Sequence, residues 1–308
     1  MGYVLKNQCT VFFFSILILL YPYQTFAFVP FTEINPTDQT IKIIDPLIEK
    51  IVKEFEPDDL QLLTNIESYK QNIEKWVSEY ARIYKKPMIL DRLEDNGEVT
   101  KGKPRITIDE TSLVHSILEL SFSGGEVELP LIYTESDYDT KDVPYLTEVV
   151  LASYTTFFNS ANTGRSKNIE LSAMAINNVI VGIGDIFSFN TIVGPRDVTN
   201  GYQEAPEIIK GKLVMGIGGG ICQTSSTLFN AVDRVGVKTI ERHRHSKDIG
   251  YVPKGRDATV SFGGLDYKFQ NTLGIPFVIK TYAKNGILSV VITTSKEYEQ
   301  LLKNELSE

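Results

Sequence analysis

Between residues 216 and 227 the chain reads Gly216-Ile217-Gly218-Gly219-Gly220-Ile221-Cys222-Gln223-Thr224-Ser225-Ser226-Thr227, and no other stretch restricts the fold so strongly. Three consecutive glycines open the positive-φ regions and let the main chain come close to a ligand. Beyond them Leu228, Ala231, Val232 and Val235 recur at helical spacing, which predicts a helix over Cys222–Val235. Cys222 then stands where a glycine loop turns into a helix. Unpaired N–H groups and the positive end of the helix dipole at such a junction favour a thiolate. The same groups suit the oxyanion formed when a thiolate attacks a carbonyl. Thr224, Ser225 and Ser226 are residues of the capping type. A glycine loop opening a helix is also a phosphate-binding pattern, but the P-loop lysine is missing and no Rossmann spacing with a downstream acid is present.

The rest of the chain bears on that thiol. Lys6 gives a sparse positive start, and Val11–Leu20 is an apolar run broken only by Ser15. Tyr21-Pro22 ends the run, and Thr25-Phe26-Ala27 sets small residues at the −3 and −1 positions of a signal-peptide cleavage site. The run before Pro22 is about half the roughly 20 apolar residues a membrane span needs. Residues 1–27 therefore read as a signal peptide, with an uncleaved membrane tether as the alternative, since Tyr23, Phe26, Phe28 and Val29 lengthen the segment. Both readings export the protein to the outside of the cell or the cell wall. Cys9 leaves with a cleaved signal peptide, so the mature chain keeps Cys222 as its single thiol. A leftover cysteine in an exported protein is intermolecular, buried and inert, or reactive.

Composition narrows the partners. The 308 residues are 42% apolar and 23% charged, an ordinary globular balance that fits one large domain or two modest ones. Net charge is −8 and the pI is near 5.1, against the clustered Lys and Arg that a phosphate backbone requires. Nucleic acid is not an expected partner.

A thiol nucleophile needs a base within hydrogen-bond reach. His115 lies in the N-terminal half, whereas His243 and His245 follow Cys222 within Glu241-Arg242-His243-Arg244-His245-Ser246. A His-x-His pair on a strand would put both rings on one face and can bind metal, but further ligands would have to come from acids such as Asp248 or Asp257. Two histidines near a lone thiol fit a Cys–His dyad better, and no metal or cofactor is expected. Arg256 and Asp257 admit two readings, a turn salt bridge or a functional pair. In the second, Asp257 orients the histidine and Arg256 holds a substrate carboxylate. Gly218, Gly219, Gly220, Gln223 and Thr224 join the candidate site through the glycine loop. Ser188-Phe189-Asn190, Gly194-Pro195-Arg196 and Gly201-Tyr202 read as structural turns and strands beside it.

The expected fold class is α+β. Residues 28–40 read as a linker, and residues 41–145 as a smaller α+β domain with helical spacing from Ile41 to Tyr84, then short strands and a helix over Thr111–Leu120. Residues 146–294 read as a β-rich domain carrying the glycine loop–helix junction. Helix is expected over Asn168–Val179, and β structure over Ala258–Phe262, Phe277–Tyr282 and Ile287–Ile292, with a hairpin turn at Asn285-Gly286. Residues 295–308 form a charged tail.

From about Arg165 to Tyr282 the sequence closely resembles the VanW domain family. The resemblance is carried by Phe187-Ser188-Phe189-Asn190, Val193-Gly194-Pro195-Arg196, Gly218-Gly219-Gly220-Ile221-Cys222-Gln223, Leu228-Phe229-Asn230-Ala231, His245-Ser246, Tyr251-Val252-Pro253 and Gly255-Arg256-Asp257-Ala258-Thr259-Val260. The unit over residues 41–145 loosely resembles a peptidoglycan-binding module that precedes such domains. The resemblance implies work in the Gram-positive envelope and an L,D-transpeptidase-like acyl transfer on peptidoglycan stem peptides. In that chemistry Cys222 is the nucleophile that carries a thioester and His245 its base, with His243, at a variable position, ranked below it. The alternatives are a non-catalytic envelope-binding protein and a cysteine peptidase or amidase acting on the same peptides.

Overall fold

The computed structural model describes residues 40–56, 65–209 and 212–305. The signal segment and most of the linker expected over residues 1–40 lie outside the described residues.

The N-terminal part opens on a hairpin of β1 (Ile41–Asp45) and β2 (Lys50–Phe55), where the spacing predicts helix. Its isoleucines satisfy both periods, and two local features favour the extended one. Ile41 and Ile43 are buried at period two, and Asp45 precedes Pro46, whose ring disfavours the helical region for the residue before it. Asp45 then accepts from Leu47 N–H at 2.8 Å and closes the turn. Helix α1 (Ile66–Tyr84) is capped by Asn65 and buries Tyr69, Ile73, Val77 and Ala81, one residue per turn. After β3 (Arg92–Leu93), β4 (Val99–Thr100) and β5 (Arg105–Ile108) comes α2 (Glu110–Glu119), capped by Asp109. Strands β6 (Gly125–Glu128) and β7 (Leu131–Thr134) complete this part; β6 runs parallel to β1, and β5 pairs with β7. Ile41, Ile43, Phe55, Leu113 and Ile117 close its core with the buried face of α1.

The C-terminal part comprises β8 (Val149–Phe157), α3 (Thr163–Ile176), β9 (Val179–Val181), β10 (Ile186–Ser188), α4 (Phe189–Val193), β11 (Glu204–Ile209) and β12 (Lys212–Ile217). It continues with α5 (Ile221–Asp233), β13 (Lys238–Glu241), β14 (Lys268–Gln270), β15 (Phe277–Lys284), β16 (Ile287–Thr294) and α6 (Lys296–Glu305). The whole chain is thus mixed α+β, with a β-rich C-terminal part.

Its main sheet is antiparallel, in the order β4-β3-β9-β15-β16-β8. β15 and β16 turn at Asn285-Gly286, where φ values of 54° and 78° fit a type I′ hairpin. Alternation along β15 divides the packing: Phe277 and Ile279 enter the core around α5, whereas Val278 joins Ile180, Leu93, Val143 and Leu146. Strands from both sides of residue 145 therefore share one sheet. Arg92 strengthens that join, since its guanidinium donates to the carbonyls of Met174, Ala175 and Asn177 at the end of α3. A second sheet, β10-β14-β13, brings stacked Phe187 and Phe269 against the α5 core.

Candidate active site

Helix α5 is buried along its length although much of it is polar. Each buried hydroxyl or amide must then find a partner inside the protein. Thr224 bonds Ser172 at 2.7 Å, Thr227 bonds Thr156 at 2.8 Å, and Asn230 donates to the carbonyl of Arg256 at 2.8 Å. Ser225 donates to the carbonyl of Ala258 at 2.5 Å, and Ser226 accepts from the Ala258 N–H at 2.9 Å. The Ser/Thr run therefore does not cap the helix. Gly220 holds the N-cap at φ 110°, a region a Ser or Thr rarely adopts. Segment 258–262 likewise forms no strand beyond a bridge from Thr259 to His243, because its polar backbone groups turn to α5.

That segment and the start of α5 enclose the thiol. Cys222 is the second residue of α5 and half-buried. Its Sγ lies 3.5 Å from Thr259 Oγ1 and 3.5 Å from the Val260 backbone nitrogen, which donates to it. His245 Nδ1 lies 2.8 Å from Asp257 Oδ2, and the same carboxylate oxygen accepts from the His245 backbone N–H at 2.7 Å. With Nδ1 held by Asp257, Nε2 is the nitrogen left for the thiol. Cys222 and His245 line one cavity of about 890 Å³, walled by Gly218, Gly219, Gly220 and Gln223, by Asp248–Tyr251 and by Thr259–Phe262.

The electrostatics of the three groups are linked. Burial pushes the Cys222 thiol up, but His245, the Val260 N–H and the Thr259 hydroxyl together bring it below the ordinary thiol value. Burial pulls His245 down, yet contact with Cys222 and Asp257 leaves it above the ordinary imidazole value. Burial raises Asp257, and its bonds to the His245 backbone and ring leave it below the ordinary carboxylate value. All three shifts favour a thiolate–imidazolium pair steadied by a carboxylate.

The glycine loop supplies donors. Ile221 N–H bonds the Gly218 carbonyl at 3.2 Å, and Gln223 N–H bonds that of Gly220 at 2.9 Å. Among the described residues no acceptor pairs with the N–H of Gly220 or Cys222, so these two can receive an oxyanion.

Other residues singled out in the sequence fall elsewhere. His243 bonds Glu241 at 2.9 Å and does not line the cavity. Arg256 bonds Asn230 at 2.8 Å and Asp233 at 2.7 Å, braces the outer part of α5, and does not line the cavity. Thr224 sits inside the core, and His115 pairs with Glu119 on the exposed face of α2. Among the described residues no group of three or more His, Cys, Asp or Glu side chains could hold a metal ion. No described helix is long and apolar enough to cross a membrane. Two further residues line the cavity: Arg165, to which the sequence assigns no role, and Arg196, which it reads only as part of a structural turn beside the site. Arg165 donates to Gln223 Oε1 at 2.8 Å, and Arg196 packs its side chain against the glycine loop beside Gly218. Neither stands near Cys222 in the chain, so spacing gives no signal for them.

Comparison with known proteins bears on this arrangement. A family model described as VanW like protein matches residues 164–293, which include Cys222, His245 and Asp257. The chain is 39% identical to the protein YoaR of Bacillus subtilis (strain 168) over 216 residues, 70% of this chain and 71% of that protein. It is 31% identical to the Vancomycin B-type resistance protein VanW of Enterococcus faecalis (strain ATCC 700802 / V583) over 140 residues, 42% of this chain and 51% of that one. No solved structure gives a significant match. On these matches the chain belongs to the VanW-like family.

Proposed function

We propose that the protein is a cell-envelope acyl transferase of the L,D-transpeptidase type, working through a thioester on Cys222. The observation that carries the reading is the Cys222–His245–Asp257 series opening into a cavity walled by a glycine loop. The Cys222 thiolate attacks a peptide carbonyl, and the N–H groups of Gly220 and Cys222 hold the oxyanion. The imidazolium of His245 gives its proton to the departing amine as the C–N bond breaks, leaving the thioester. An acceptor amine then attacks the thioester. His245 takes the amine's proton, the C–S bond breaks, and the thiolate returns. Asp257 keeps the imidazole in the required tautomer throughout.

The substrates would be peptidoglycan stem peptides, reached after export along the expected signal segment. Incubating full-length protein with disaccharide-tetrapeptide muropeptides and analysing products by mass spectrometry tests this. Cross-linked dimers that vanish in Cys222→Ala are the expected result. Shortened peptides without dimers would make water the acceptor and the protein a peptidase. Products identical for both proteins would leave a binding role.

A further inference from the structure

The proposed chemistry leaves Arg196 without a role. It lines the same cavity as Cys222, and a Cβ on Gly218 would stand 3.3 Å from its own Cβ, so it presses on the loop that carries the thiol. Its guanidinium lies over two aromatic rings, 5.6 Å from the Phe189 centroid and 5.6 Å from that of Phe262. Those rings suit the faces of the cation and leave the donors at its edge free. Both terminal nitrogens are shielded from solvent and bond to nothing in the protein. An arginine stays charged in such a place, and an unpaired buried fork is costly.

The nearby groups do not fill it. Asp266 already accepts from Ser188 Oγ at 2.7 Å and from the Asn190 N–H at 2.9 Å. Asp248 reaches Lys254 at 3.3 Å, and the other cavity arginine, Arg165, is engaged with Gln223. Phe262 is itself 54% exposed and, like Arg196, lines the cavity, so the guanidinium lies at the cavity wall rather than in the core.

We propose that Arg196 is a carboxylate-binding residue of the Cys222 cavity, selecting peptides that carry a free C-terminal carboxylate beside the bond to be broken. This rests on the acyl-transfer reading for the identity of the peptide. A guanidinium fork matches a carboxylate through two parallel N–H···O bonds, and a neutral amide at the same position offers no such pair. The enzyme would then act on the terminal residue of a stem and pass over peptides whose end is blocked.

Binding without turnover tests it. Full-length Cys222→Ala is titrated calorimetrically with a stem tetrapeptide and with the same peptide bearing a C-terminal amide. The free acid should bind at least about tenfold tighter. Adding Arg196→Gln should bring the two within about twofold, while Arg196→Lys, which keeps the charge but loses the fork, should retain part of the preference. Equal binding of acid and amide, no measurable binding of either, or a preference that survives in folded Arg196→Gln would overturn the proposal. Acid-selective binding by a wild-type protein that never forms an acyl adduct would sink the transfer reading and leave the subsite standing.

Discussion

Burial alone would keep the Cys222 thiol protonated, and what opposes burial comes from residues distant in sequence: His245, Thr259 and the Val260 N–H. The pH dependence follows with a definite sign. With the thiol lowered and the imidazole raised, both shifts favour the ion pair, so alkylation of Cys222 should stay fast below the ordinary thiol range near about 8.5. His245→Gln leaves burial dominant, and the alkylation midpoint should move upward; an unchanged or lower midpoint would contradict the coupling. Asp257→Asn should slow acylation at least about 100-fold at unchanged fold, read by rapid-quench mass spectrometry. The sequence made Cys222, His245 and Asp257 candidates, but it could not tell which of two adjacent residues faced the site. Asp257 turns to His245 and Arg256 turns away to Asp233.

At the scale of elements, α5 and the loop before it were legible as a unit from glycines followed by helical spacing. The role of Thr224, Ser225 and Ser226 was not, because Ser and Thr near a helix start usually cap it, and here a positive-φ glycine occupies that position. The β1–β2 hairpin was misread as helix because an isoleucine-rich run satisfies both periods. The loop makes a sharp prediction. A Cβ on Gly219 would meet the Ala205 carbonyl oxygen at 2.4 Å and that of Pro206 at 2.8 Å, and neither backbone atom can swing aside. Gly219→Ala should cost about 1–3 kcal/mol, seen as a lower urea midpoint, and should displace Cys222 enough to abolish acylation. Gly236→Ala, at φ 86° with no atom within 4 Å, should cost about 1–2 kcal/mol from backbone strain alone and leave acylation intact.

For the whole molecule, chain order suggested a division near residue 145, since short strands and turns give way there to the motif-bearing segment. Pairing across a sheet is non-local and leaves no such mark. β3 lies beside β9, Arg92 caps the end of α3, and Leu93 packs with Leu146, Ile180 and Val278. A protein beginning at Leu146 would expose the β9 edge and that apolar cluster. It should melt more than about 5 °C below the full chain and self-associate in light scattering. A monodisperse fragment of equal stability would show that the sheet does not need its N-terminal strands.

The central claim is that Cys222 carries an acyl group, and intact-protein mass spectrometry of full-length protein quenched during incubation with disaccharide-tetrapeptide reads this directly. The prediction is a mass increase equal to the donor acyl fragment, located on Cys222, discharged by an added amine and absent from Cys222→Ala. An unmodified mass at every time point, with donor peptide bound to the protein, would contradict it.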